Sequence, residues 1–164
     1  MADNITASGR KNRESVARSN SLMYLPRRIV VLGVARWRAW LDTRALLWWL
    51  SDDPALPQAA RKFIAETKNT LVVSAGSARE IAVKVRLGRL PSATDLTADF
   101  CGLIERDGFE SLAISAEHGI RAGLLPGPHK DPFDRMLIAQ AQAENIPIIS
   151  NETVFESYGV RRLW

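Results

Sequence analysis

A single cysteine, Cys101, in 164 residues leaves no internal disulfide and no thiolate cluster, which fits a reducing, cytoplasmic compartment. Two histidines, His118 and His129, do not make a zinc site. No stretch reaches ~18 uncharged apolar residues, so a membrane-spanning helix is excluded. The apolar run at 29–34 is short and late, with Arg36 and Arg38 behind it, and does not pass as a secretory signal. Internal repeats and interdomain linkers are absent as well.

What is present is an ordinary globular composition, 46% hydrophobic and 24% charged, with a net charge of +4. The charge is uneven. Residues 1–38 hold eight basic residues against Asp3 and Glu14, a net of +6, and leave 14 basic against 16 acidic residues for the rest. The chain therefore divides into a basic, unstructured leader over 1–36, with Met23 as an internal start, and one domain over 37–164. Such a leader could hold a phosphate backbone loosely, with strong salt dependence.

Along the domain, short apolar runs alternate with helical patterns. Strands are expected at 29–34 or 37–41, then at 70–74, 109–114, 146–149 and 160–164. Helices are expected from Ala45 to Leu50, at 57–67, 81–87 and 95–105, from Ser115 to Leu124, and over the apolar segment after Asp131. Ser77-Ala78-Arg79-Glu80 has capping-box spacing. Asp131 suits an N-cap, Pro132 the first helical position and Asn145 the stop. Strand–helix alternation with short connections implies an α/β fold, a mostly parallel sheet covered on both faces.

Acids fall at the junctions. Asp42 leaves a strand, Glu80 lies just inside a helix, Asp134 is one turn into the helix capped by Asp131, and Glu152 follows Ser150 and Asn151 at another strand exit. In a doubly wound sheet these gather at the carboxyl rim, where ligands bind. Carboxylates ~4 Å apart repel by about 4 kcal/mol at an effective dielectric near 20, so a cation is needed among them. Mg²⁺ or Mn²⁺ prefers carboxylate oxygens and keeps positions open for a phosphate, which points to metal-assisted hydrolysis. An acid at a helix start also stabilises the helix with no ligand at all, by about 0.5–2 kcal/mol.

The segments Leu41-Asp42-Thr43-x-Ala45-Leu46-Leu47-Trp48-Trp49, Ser74-Ala75-x-Ser77-x-x-Glu80-Ile81-Ala82-x-Lys84 and Asp131-Pro132-Phe133-Asp134-Arg135-x-Leu137-Ile138-Ala139-Gln140-Ala141 occur in this order. With Ser150-Asn151-Glu152 and the ending through Tyr158-Gly159-Val160, they resemble PIN-domain ribonuclease toxins of VapC type, from about residue 39 onward. The resemblance implies a PIN-like three-layer α/β/α fold with about five strands. It also implies a Mg²⁺- or Mn²⁺-dependent single-strand endoribonuclease acting on structured RNA such as tRNA, leaving a 5′-phosphate and a 3′-hydroxyl. A homodimer is implied, and so is a cognate antitoxin whose arginine-bearing tail enters the acid pocket.

Carried over by position, Asp42, Glu80, Asp134 and Glu152 become the catalytic and metal-binding acids. Thr43, Ser77, Ser150 and Asn151 become hydrogen-bonding supports, and Asp131 a cap that orients rather than coordinates. Trp48 and Trp49 are assigned to core and dimer packing rather than to base stacking, and His129, Lys130, Lys84 and Arg86 are candidate phosphate contacts. Three residues depart from the pattern: Arg44, Gly76, and Arg79 where tryptophan is typical. Arg79 is expected to put a charge where an aromatic is buried beside Glu80, and Arg36 and Arg38 burden a strand that should be fully covered. A decayed PIN fold that still dimerises and binds antitoxin is therefore the alternative. A receiver-like phosphoacceptor at Asp42 is disfavoured, since no acid pair precedes it and no lysine follows a late strand.

Overall fold

The computed structural model describes residues 37–164. The strand candidate at 29–34, Arg36 and the leader lie outside the described residues. The chain runs β1 (Arg38–Leu41), α1 (Thr43–Leu50), α2 (Gln58–Ala65), β2 (Thr70–Ser74), α3 (Ala75–Arg86), α4 (Thr94–Ala98), α5 (Phe100–Arg106), β3 (Glu110–Leu112), α6 (Ala116–Leu124), α7 (Pro132–Glu144), β4 (Ile148–Ile149), α8 (Val154–Ser157) and β5 (Arg162–Leu163). The five strands form one parallel sheet in the order β3-β2-β1-β4-β5. The direction of winding reverses between β1 and β4.

Side-chain alternation divides the core in two. Ala39, Leu41, Leu71, Val73 and Ile149 face Leu46 and Trp49 of α1, Ile64 of α2, Ile81 of α3 and Ile104 of α5. Trp40, Val72 and Ile148 point the other way, onto Leu137, Ile138 and Ala141 of α7 and Phe155 of α8. Both faces of the central strands are covered, as near-continuous apolar runs require, and the fold is a three-layer α/β/α sandwich.

The helix α7 forms for the reasons its sequence carries. Asp131 accepts from the amides of Phe133 (2.8 Å) and Asp134 (3.2 Å), Pro132 fills the first turn, and Asn145 ends the helix at φ 51°. Elsewhere the expected elements shift. The capping box at Ser77 does not form: α3 starts directly after β2, with Ser74 as its cap through the Gly76 amide at 2.9 Å. A reciprocal box does occur on α6, between Ser115 and His118. The helix expected at 95–105 breaks at Asp99, whose carboxylate caps α5 by accepting from the Gly102 amide. Strands at 109–114, 146–149 and 160–164 shorten to β3, β4 and β5.

Arg38 does not have to be buried. β1 is only four residues long, so its first residue lies at the amino rim, where the half-exposed guanidinium pairs with Glu110 (3.3 Å) and Glu144 (3.8 Å).

Candidate functional site: an acid cluster at the sheet's switch point

Asp42 is fixed from three sides. Its amide donates to the Ile149 carbonyl at 3.2 Å, which joins β1 to β4 at the point where the winding reverses. One carboxylate oxygen accepts from the Arg44 amide at 2.7 Å, capping α1, and the other accepts from the fully buried Ser150 hydroxyl. Ser150 in turn accepts from the Glu152 amide at 3.0 Å. Burial pushes the Asp42 carboxyl up to about 6, the Ser150 and Arg44-amide bonds pull it back, and the negative Asp134 adds to the rise.

Asp134 enters from the first turn of α7. Burial raises its pKa most, the 2.8 Å contact with His129 Nε2 lowers it, and the charges of Asp131 and Glu80 raise it again. His129 is thus a partner of the acid rather than a free phosphate contact. Its loop is pinned by Arg135, whose guanidinium donates to the carbonyls of Ala122 (3.0 Å), Gly123 (3.3 Å), Leu125 (2.6 Å) and His129 (3.0 Å). The sequence alone gives Arg135 no role, because its partners are carbonyls of a preceding loop that no local pattern specifies.

Glu80 projects from α3 and is held by Lys84 one turn on, at 2.5 Å. Ser77 does not cap; it is buried and accepts from the Thr43 hydroxyl at 3.0 Å, tying α3 to α1. Gln140, another residue missed from sequence, accepts from Ser74 at 2.6 Å and ties α7 to the end of β2. A polar amide inside the apolar run of α7 was the signal available. Arg79, expected to intrude, is exposed and lies 5.3 Å over the Phe133 ring, outside the acid cluster.

Glu152 is turned to Arg44 at 2.6 Å, with Asn151 3.4 Å from the same nitrogen. Asp42 therefore feels the charge of Asp134, and Asp134 that of Glu80, while Glu80 and Glu152 are each engaged by a cation. Among the described residues, no three His, Cys, Asp or Glu side chains converge closely enough, as they stand, to hold a metal ion. The donor chemistry nevertheless suits one: the acids are hard oxygen donors, and burial holds two of them above the usual carboxylate range.

The PIN domain family matches residues 39–160. The chain belongs to the PIN domain family. Among solved structures, this PIN domain is similar to a chain of VapBC2 from Rickettsia felis, described as bound to a DNA fragment from their promoter, with a TM-score of 0.56 and 17% identity. The match covers 77% of this chain and 97% of the other, a likeness of fold. No curated protein matches the sequence.

Proposed function

We propose that this PIN domain is the toxin of a VapC-type toxin–antitoxin pair, a Mg²⁺- or Mn²⁺-dependent endoribonuclease. The observation that carries the reading is a chain of acids from three separate elements beside the β1–β4 switch point, in which the charge of Asp134 acts on buried Asp42 and that of Glu80 acts on Asp134. Asp42, Glu80 and Asp134 would hold the cation, with Glu152 joining on release from Arg44. When bound, the ion supplies Lewis-acid polarisation of a phosphodiester and a more acidic water.

The protein's own part is positioning. Ser150 and the Arg44 amide fix both oxygens of Asp42, His129 aims Asp134, and the Thr43–Ser77 and Ser74–Gln140 bonds hold α1, α3 and α7 in register. Asn151 stays beside Arg44, and Asp131 caps α7.

An antitoxin partner is supported by the likeness to the VapBC2 complex. A homodimer is supported by the exposed Ile120 and Leu124, one turn apart on α6. No helix among the described residues is long and apolar enough to cross a membrane, and we place the protein in the cytoplasm with residues 1–36 as a basic leader.

The test is incubation of the purified chain with total RNA and Mn²⁺, with and without EDTA. Cleavage abolished by the chelator is expected, and chelator-insensitive or absent cleavage counts against the enzyme. One observation favours a second reading, an impaired PIN fold that keeps its partners: Lys84, His129 and Arg44 already engage three of the four acids. Growth arrest on expression, lost in Asp42→Asn, separates the two.

A further inference from the structure

Beside the acids, the carboxyl rim carries an aromatic cluster that they do not use. Trp164 follows β5, and the register pairing Ile149 with Leu163 sets it level with Ser150, the residue bonded to Asp42. Its ring lies 5.7 Å from that of Trp48, tilted by 42°, and Trp164 is 37% exposed. The Arg44 guanidinium stands 6.0 Å from the centre of the Trp48 ring while its Nη1 reaches Glu152. Trp49, by contrast, is buried and donates through Nε1 to Asp107 at 2.6 Å. Trp49 lies within the core, whereas Trp48 packs against it from the edge and meets Trp164 with part of its ring exposed.

Two partly exposed indoles and a half-exposed guanidinium, the latter two residues after an acid proposed to act on phosphodiesters, match the two faces of a nucleotide. Every base has a π-face that stacks on an indole regardless of sequence. A phosphate presents the oxygens that a guanidinium fork accepts as readily as it does a carboxylate. The Arg44–Glu152 pair is solvent-exposed on both sides and correspondingly weak, so a phosphate can compete for the arginine.

We propose that Trp48, Trp164 and Arg44 form a binding platform for one nucleotide of single-stranded RNA, the indoles taking the base and Arg44 the adjoining phosphate. The proposal rests on the ribonuclease reading of the acid cluster. Stacking on the platform selects unpaired over paired RNA, because a base inside a duplex offers no free face. Trp164 and Trp48 are substrate-binding residues here and take no part in the chemistry.

The test is fluorescence anisotropy of a labelled single-stranded RNA of about ten nucleotides with the full chain in EDTA, where stacking of one base is expected to be worth at least about fivefold in affinity. Trp164→Ala should show that loss and Trp164→Phe should recover most of it. The difference between Trp164→Ala and the parent should vanish on an oligonucleotide with abasic central positions. Arg44→Ala should reduce the salt dependence by about one phosphate contact. The basic stretch at 1–36 is unchanged in every arm. Unchanged affinity in Trp164→Ala, an equal loss on abasic RNA, or no binding by the parent overturns the platform. Mn²⁺-dependent cleavage measured in parallel keeps the two readings apart: cleavage with unaltered Trp164→Ala binding sinks the platform alone, and base-dependent binding without cleavage sinks the nuclease alone.

Discussion

Asp42 and the three acids around it are held in opposite ways. Asp42 is buried, and its oxygens are satisfied by a backbone amide and a serine hydroxyl, neutral donors that fix its direction without cancelling its charge. Glu80, Asp134 and Glu152 lie farther out, and each is met by a basic side chain, Lys84, His129 and Arg44 respectively. The inner acid is therefore oriented by neutral donors, whereas each of the outer three is in direct contact with a basic side chain. On the metal-dependent reading proposed above, the inner residue would fix where a cation sits and the outer residues would adjust to it.

The sharpest way to break this contrast is Asp42→Asn. Cleavage in Mn²⁺ should fall by more than the roughly 10–100-fold typical of a supporting residue. Stability should move the other way. The folded carboxyl titrates at about 6 against an ordinary 3.8. The unfolded chain therefore releases this proton first, and folding loses stability as the pH rises from about 4 to about 6. The full penalty above that range is on the order of 3 kcal/mol, so the asparagine variant should melt higher than the parent at pH 8 and lose that advantage at pH 4. Lower melting at pH 8 would mean that the acid is not desolvated in the folded state. Mn²⁺ should recover part of the same penalty, raising the parent's melting temperature above pH 6 and leaving the variant unmoved.

Much of this arrangement could be read before any coordinates. The 70–74 strand has no competing pattern, and α7 carries its own cap, first-turn proline and stop. Asp42 and Ser150 sit at strand exits whose geometry follows from alternation alone. What was not legible depended on tertiary contacts. Ser74 and Ser77 both offer a cap, and the choice is made by Gln140, 66 residues away, which accepts the Ser74 hydrogen bond and fixes that serine in place. Gly76 leaves that cap undisturbed, since a Cβ there would lie 3.0 Å from the Ser74 hydroxyl and push it by a few tenths of an ångström. Arg79 and Arg38 looked misplaced only because a local pattern does not say which way a helix face turns or where a short strand ends.

Ser150→Ala tests whether the neutral donor matters beyond packing. Its hydroxyl favours the ionised form of Asp42, so its loss should raise that pKa further and move the acid limb of the Mn²⁺-dependent activity to higher pH. The rate at pH 7 should fall by about 10–100-fold. A profile that keeps its position while dropping in height would assign the serine to packing alone. Cutting an outer partner should do less. Lys84→Met frees Glu80 at a cost of about 0.3–0.5 kcal/mol for an i,i+4 pair. Titration with Mn²⁺ should then show tighter binding, because one positive charge has left the cluster.

The smallest effect belongs to an arginine of similar exposure at the opposite rim. Arg38 pairs with Glu110 and Glu144 where the strands begin, far along the sheet from the switch point. Both contacts face solvent, so Arg38→Ala should cost no more than about 1 kcal/mol in chemical denaturation. Removing it leaves Asp42, Ser150 and the outer acids untouched, and Mn²⁺ affinity and cleavage should match the parent. Arg44, with comparable exposure and an equally weak ion pair, should instead alter both metal and RNA binding when replaced. If the two arginines behaved alike, position at the carboxyl rim would carry no functional weight, and the separation of the molecule into a working rim and a structural one would fail.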